Sequence, residues 1–118
     1  MAAGDQQEDI EKLLKDYQML QEQIRNVAMQ VEQLQAQKLD MERASEELGK
    51  SAGKVYISVG GVIVETTKDK AVADISDRSS LTNARLQSAN KAYAEMRTRE
   101  KQLNEKITAL YRGASAGA

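Results

Sequence analysis

Cysteine and histidine are both absent from this chain. Their absence removes disulfides, thiolate nucleophiles, the commonest metal ligands and the usual neutral-pH acid–base group. Proline is absent too, so nothing in the chain forces a helix to stop or kink. Tryptophan and phenylalanine are missing, and only 3% of residues are aromatic, too few for a thick globular core. Neither sign of charge dominates: 17 Lys and Arg stand against 18 Asp and Glu, a formal net charge of -1. That balance provides no field for wrapping nucleic acid or for sitting on an acidic membrane. No apolar run approaches the length of a membrane span. The opening MAAGDQQEDIEK has neither the basic stretch nor the apolar stretch of a secretion signal. A cytosolic protein without cofactor, metal or catalytic machinery is expected.

What the chain does have, in 118 residues, is periodicity. From Ile10 the apolar positions fall at Leu13, Tyr17, Leu20, Ile24, Val27, Val31 and Leu34, stepping alternately by three and four. This is the seam of a coiled coil. The frame runs on through Lys38, Met41, Ser45 and Leu48, growing more polar, and Gly49 and Gly53 supply stop signals. A second seam follows at Val72, Ile75, Ser79, Thr82, Leu86, Ala89, Tyr93, Met96, Glu100, Leu103, Ile107 and Leu110. Thr67 is suited to cap that helix, Asp69 lies in its first turn, and Arg112-Gly113 marks its end. The spacing predicts a single domain over 1–118, with helices over 5–49 and 68–112 and a flexible tail over 113–118.

The two seams share a register. Pairing positions whose numbers sum to 120 sets Ile10 against Leu110, Leu13 against Ile107, Tyr17 against Leu103 and Ile24 against Met96. Val27 then meets Tyr93, Leu34 meets Leu86 and Leu48 meets Val72, and the fold point falls at Gly60. Charge agrees. Residues 5–22 are mostly acidic and residues 91–112 mostly basic, which favours antiparallel over parallel pairing. An antiparallel two-helix coiled coil is expected, its exposed charges selecting orientation more than adding stability.

Between the helices the vocabulary changes to KVYISVGGVIVETT, residues 54–67. The Gly60-Gly61 pair allows positive φ at both central positions of a tight turn, and β-branched residues flank it. A hairpin so turned pairs Val59 with Val62, Ile57 with Val64 and Val55 with Thr66, all on one apolar face. Tyr56, Ser58, Ile63 and Glu65 occupy the other. Such a hairpin is marginal alone, and five aliphatic side chains each worth roughly 1.5–3 kcal/mol on burial need cover. Two outcomes are open: hairpins of several subunits join in a shared sheet or barrel, or the hairpin folds onto its own helices.

The run VYISVGGVIVETTKDKAVADI, between two heptad helices of near-equal length, resembles the β-type subunits of the prefoldin family. The sequence-specific likeness covers residues 55 to about 75, and the architectural likeness covers the whole chain. The linker supports the β-type, since roughly 20 residues between Leu48 and Asp69 leave room for one hairpin where α-type subunits insert two.

The resemblance implies that the fold is mainly α, an antiparallel two-helix coiled coil whose single hairpin joins an intersubunit β-barrel. It assigns oligomerisation to Val55, Tyr56, Ile57, Val59, Gly60, Gly61, Val62, Ile63 and Val64. It also implies an ATP-independent co-chaperone that holds unfolded polypeptides at the free ends of its helices and passes them to a group II chaperonin. The implied partner is an α-type prefoldin subunit in a hetero-hexamer, two α-type and four β-type if the source is archaeal. Client-binding candidates near those ends are Ile10, Leu13, Leu14, Tyr17, Met19, Leu103, Ile107, Leu110 and Tyr111. Seam residues among them serve ordinary coiled-coil packing unless the ends fray, whereas Leu14 and Met19 are not needed by the seam. The competing reading is a structural coiled-coil tether whose β-tip only dimerises or docks; a nucleic-acid-binding arm lacks a basic stripe.

Overall fold

The computed structural model describes residues 3–116. The element order is α1 (Ala3–Lys50), β1 (Val55–Val59), β2 (Val62–Thr66) and α2 (Lys68–Ala116). The architecture is mainly helical, with the single hairpin between the helices as expected. Both helices run past their expected ends. α2 in particular continues through Gly113 to Ala116, where a flexible tail over 113–118 was anticipated; positions 117 and 118 of that tail lie outside the described residues. One glycine costs a helix only about 1 kcal/mol, and without a proline to follow it Gly113 does not terminate the helix.

The two helix boundaries at the hairpin are built from local hydrogen bonds. Thr67 caps α2, its Oγ1 accepting from the backbone N–H of Lys70 at 3.2 Å while its carbonyl accepts from Ala71 N–H at 3.0 Å. Asp69 sits in the first turn, where a carboxylate complements the helix dipole. At the end of α1, Ser51 N–H donates to the Leu48 carbonyl at 3.2 Å, a tightened last turn. β1 and β2 pair antiparallel in the expected register, Val55 with Thr66, Ile57 with Val64 and Val59 with Val62. Gly60 has φ 55° and Gly61 φ 85°, the two positive values that a two-residue hairpin turn with native twist requires.

The chain divides into two compact units. One combines residues up to Gln30 with those from Ala89 onward. Its core is the paired seams, with Ile10, Ile24, Ala89 and Ile107 buried and Leu13, Tyr17, Leu20, Val27, Tyr93, Met96, Leu103 and Leu110 half-buried. The other is Val31–Ser88 and holds the hairpin. Its buried residues are Leu34, Leu48, Ala71 and Thr82. Met41 sits opposite Ser79, whose hydroxyl donates to the methionine sulfur at 3.5 Å, so the expected register is met here. Thr82 Oγ1 also approaches that sulfur, at 3.9 Å.

The second seam departs from expectation next to the hairpin. Val72, expected opposite Leu48, is 48% exposed, and its neighbour Ala71 is 3% exposed and takes the inward place. The inward positions here run Ala71, Ile75, Ser79 and Thr82, two steps of four before the heptad rhythm resumes. Two successive steps of four locally unwind a coiled coil, and the small Ala71 side chain is what fits beside Leu48. Lys38 and Ser45, formally seam positions, are exposed. Among the described residues, both ion pairs lie within α2, Arg78–Asp74 and Arg97–Glu100, each at 3.0 Å. Among the described residues, no ion pair joins the acidic and basic outer segments across the helices.

Candidate functional site: an uncovered hairpin and an apolar groove

Two regions collect many of the apolar groups that folding leaves unburied, with Met29, Leu39, Val72 and Leu81 exposed singly along the helices. The first is the hairpin. Val55, Ile57 and Thr66, at its base, are half-buried, while Val59, Val62 and Val64 on the same face are exposed. The opposite face is just as open: Tyr56 is exposed, and Ile63, at 74%, is the most exposed large hydrophobic side chain of the described residues. The hairpin's own helices thus leave its outer half uncovered, while its base is partly buried beside them. The outer half of the first face is bare and apolar, and the second face, where Ser58 and Glu65 accompany Tyr56 and Ile63, is exposed and mixed. The turn has open space around it as well, since a Cβ on Gly60 or Gly61 would meet nothing within 4 Å.

Beside the hairpin lies an open groove of about 680 Å³, with Leu48, Ala71 and Ile75 of the helices on one wall. The other wall is Val55, Tyr56, Ile57 and Ser58, four consecutive residues of β1, with none from β2. Consecutive strand residues point to alternate faces, so a groove touching all four follows the unpaired edge of β1. That edge offers backbone N–H and C=O groups in the arrangement that accepts another strand.

The second region lies in the unit that contains Ile10 and Ile107. There the structure sorts the nine candidate client-binding residues by accessibility. Ile10 and Ile107 are buried in the seam, and Leu13, Tyr17, Leu103 and Leu110 are half-buried there. Leu14, off the seam, is half-buried nonetheless, because its position flanks the interface. Met19 and Tyr111, at 56% and 50%, are openly exposed. An open groove of about 770 Å³ brings Met19 and Leu103 together with Leu20 and Ala109, and charged Asp16, Arg99, Glu105 and Lys106 also line it. Tyr17 lies in a separate, more polar groove with Arg97, Glu100 and Lys101. The sequence placed Met19 off the seam without seeing that it would share a groove with Leu103 and Ala109 of α2, a proximity across helices that no local pattern encodes.

A third feature escaped the sequence altogether. Lys68, the first residue of α2, donates from Nζ to the Gly49 carbonyl at 3.2 Å and to the Ser51 carbonyl at 3.3 Å. It thereby satisfies carbonyls at the end of α1 that have no helical partner. Only its position after a threonine cap hinted at it.

Neither helix has a segment long and apolar enough to cross a membrane among the described residues, and no cluster of three or more acidic, His or Cys side chains there is arranged to hold a metal ion. Residues 11–114 match the family model described as prefoldin subunit. The prefoldin subunit beta of Methanosarcina acetivorans is 35% identical over 100 residues, covering 83% of this chain and 86% of that protein. That of Pyrococcus furiosus is 29% identical over 110 residues, covering 92% and 94%. Among solved structures, the prefoldin beta subunit from Thermococcus strain KS-1 superposes with a TM-score of 0.78 at 26% identity, over 86% of this chain and 90% of that one. Helices, hairpin and sequence thus agree, and this chain belongs to the prefoldin subunit family.

Proposed function

We propose that this chain is a β-type subunit of a cytoplasmic, ATP-independent co-chaperone. Its hairpin builds an intersubunit β-barrel with α-type partners, two α-type and four β-type chains to the hexamer if the source is archaeal. Its helix ends hold non-native polypeptides for transfer to a group II chaperonin. Membership of the prefoldin family, through relatives named as beta subunits, supports a chaperone role in a hetero-oligomer with alpha subunits.

The observation that carries the assembly reading is the bare hairpin. Val59, Val62, Val64, Tyr56 and Ile63 are exposed on a two-stranded sheet that its own helices leave uncovered. Neighbouring hairpins would remove that surface from water, and the free edge of β1 gives a second strand its hydrogen bonds. For client contact the support is the open groove with Met19 and Leu103 and the exposed Tyr111. Met is flexible and Tyr amphipathic, which suits contact with unrelated sequences. Several such weak sites around one assembly bind by raised effective concentration. Fraying of the outermost turns adds Ile10, Leu13, Leu14, Tyr17, Ile107 and Leu110 to this surface.

Co-expression with an α-type subunit, read by native mass and by suppression of aggregation of a denatured client, tests the proposal. A hexamer that suppresses aggregation without ATP is the expected result. A homodimer indifferent to that partner would instead make the chain a coiled-coil tether.

A further inference from the structure

The hairpin joins the helices through two short connections, and Lys68 spans both. On one side residues 51–54 lead from α1 into β1; on the other Thr67 alone separates β2 from α2. Lys68 begins α2, and side chains at a helix start lean back beyond the N-terminus. Its backbone is held there by the Thr67 cap. From this position Nζ reaches the carbonyls of Gly49 and Ser51, 19 and 17 residues earlier in the chain. The same ammonium group faces the negative end of the α1 dipole. We propose that Lys68 is a positioning residue for assembly: a charge-assisted hydrogen-bonded latch that ties the end of α1 to the start of α2 and so fixes how the hairpin is presented to a partner subunit.

The chemistry of the contact supports a positioning role. Carbonyl oxygens at a helix end accept from any donor, and water serves them where no side chain does, so the contact is not required to satisfy buried groups. What water does not do is join Gly49 and Ser51 to a residue on the far side of the hairpin. Other cations lie close, Lys50 in the last turn of α1 and Lys54 beside β1, but both precede the hairpin in the chain and neither can close this loop. A positive charge at the first position of α2 is unfavourable for its own helix dipole. Its value here lies in the neighbouring helix end, which makes the residue informative about the tertiary arrangement.

This inference rests on the reading of the hairpin as the assembly element, and the test separates the two. Full-length chains carrying Lys68→Met, which keeps the length and apolar stem but not the donor or charge, and Lys68→Arg, which keeps both, are compared with the unaltered chain. Amide hydrogen exchange at Val55 and Thr66, the pair at the hairpin base, is measured on each chain, and association with an α-type subunit is titrated at low and high salt. Lys68→Met is expected to exchange about two- to fivefold faster at that pair, the factor a helix-end charge provides at the surface. Its association should weaken by a similar factor and lose part of its salt dependence, and Lys68→Arg should restore all three. Unchanged exchange in Lys68→Met, an unchanged titration, or a Lys68→Arg chain as impaired as Lys68→Met would overturn the latch. Val59→Asp combined with Val62→Asp serves as the control on the underlying reading. If that chain still assembles while Lys68→Met changes the exchange, the assembly role of the hairpin has failed and the latch survives only as a local structural contact.

Discussion

At the residue scale the backbone at Gly60 and Gly61 is the most demanding point in the chain. With φ at 55° and 85°, both positions lie where an L side chain is strained, and no neighbour crowds either. The penalty of a substitution is therefore one of backbone conformation and not of contact. Gly61→Val should destabilise the hairpin by about 1–2 kcal/mol, because a β-branched residue is poorly accommodated there. Gly60→Asn should be tolerated, since Asn followed by Gly is the preferred pair for this turn. Amide exchange at Val59 and Val62 would distinguish the two. Thr82 offers the opposite case. It is the buried polar residue of the described set, at 4% exposure, and its hydroxyl has a methionine sulfur 3.9 Å away as partner. Sulfur is a weak acceptor, so exchanging the hydroxyl for a methyl removes little and adds apolar burial. Thr82→Val is expected to stabilise the helix pairing by about 1 kcal/mol, visible as a higher Tm.

At the scale of elements the hairpin and the helices were legible to different degrees. The hairpin's pairing was readable residue by residue, because strand faces alternate with period two and the Gly-Gly turn leaves one register. Its two-sided exposure was not. A sequence says which residues share a face, but not whether a helix returns to cover it. The seams were readable from heptad spacing except beside the hairpin, where Ala71 displaces Val72. Periodicity alone prefers the larger side chain there, whereas geometry at the end of α1 accepts the smaller one. Lys68 was illegible for the same reason, as its partners are 17 and 19 residues away. If the exposed hairpin face is the assembly surface, Val59→Asp with Val62→Asp should abolish co-assembly. Circular dichroism should show the helices intact, since those side chains are already in solvent in the single chain. Loss of helicity would instead mean that the hairpin stabilises its own subunit.

At the scale of the whole molecule, the chain's large hydrophobic residues include three groups, besides Met29, Leu39, Val72 and Leu81 exposed along the helices. Some close the paired helices, some stand bare on the hairpin, and a few, Met19 and Tyr111 among them, remain open near the chain ends. If the hairpin assembles and the apolar groups near the chain ends hold clients, as proposed, the two roles lie on separate stretches and should be separable. Removing residues 1–14 and 104–118 should abolish suppression of client aggregation while leaving the hexamer mass reduced only by the deleted residues. Loss of the hexamer in that truncation would relocate the assembly surface. By itself the sequence determined the helical class, the antiparallel register and the strand pairing. All three follow from side-chain periodicity and from backbone freedom at two glycines, which are local properties. Only the tertiary structure decided which apolar groups stay in solvent, that Ala71 rather than Val72 packs inward, and that Lys68 bridges the helix ends. Those outcomes depend on distances between residues far apart in the chain, and no local pattern carries them.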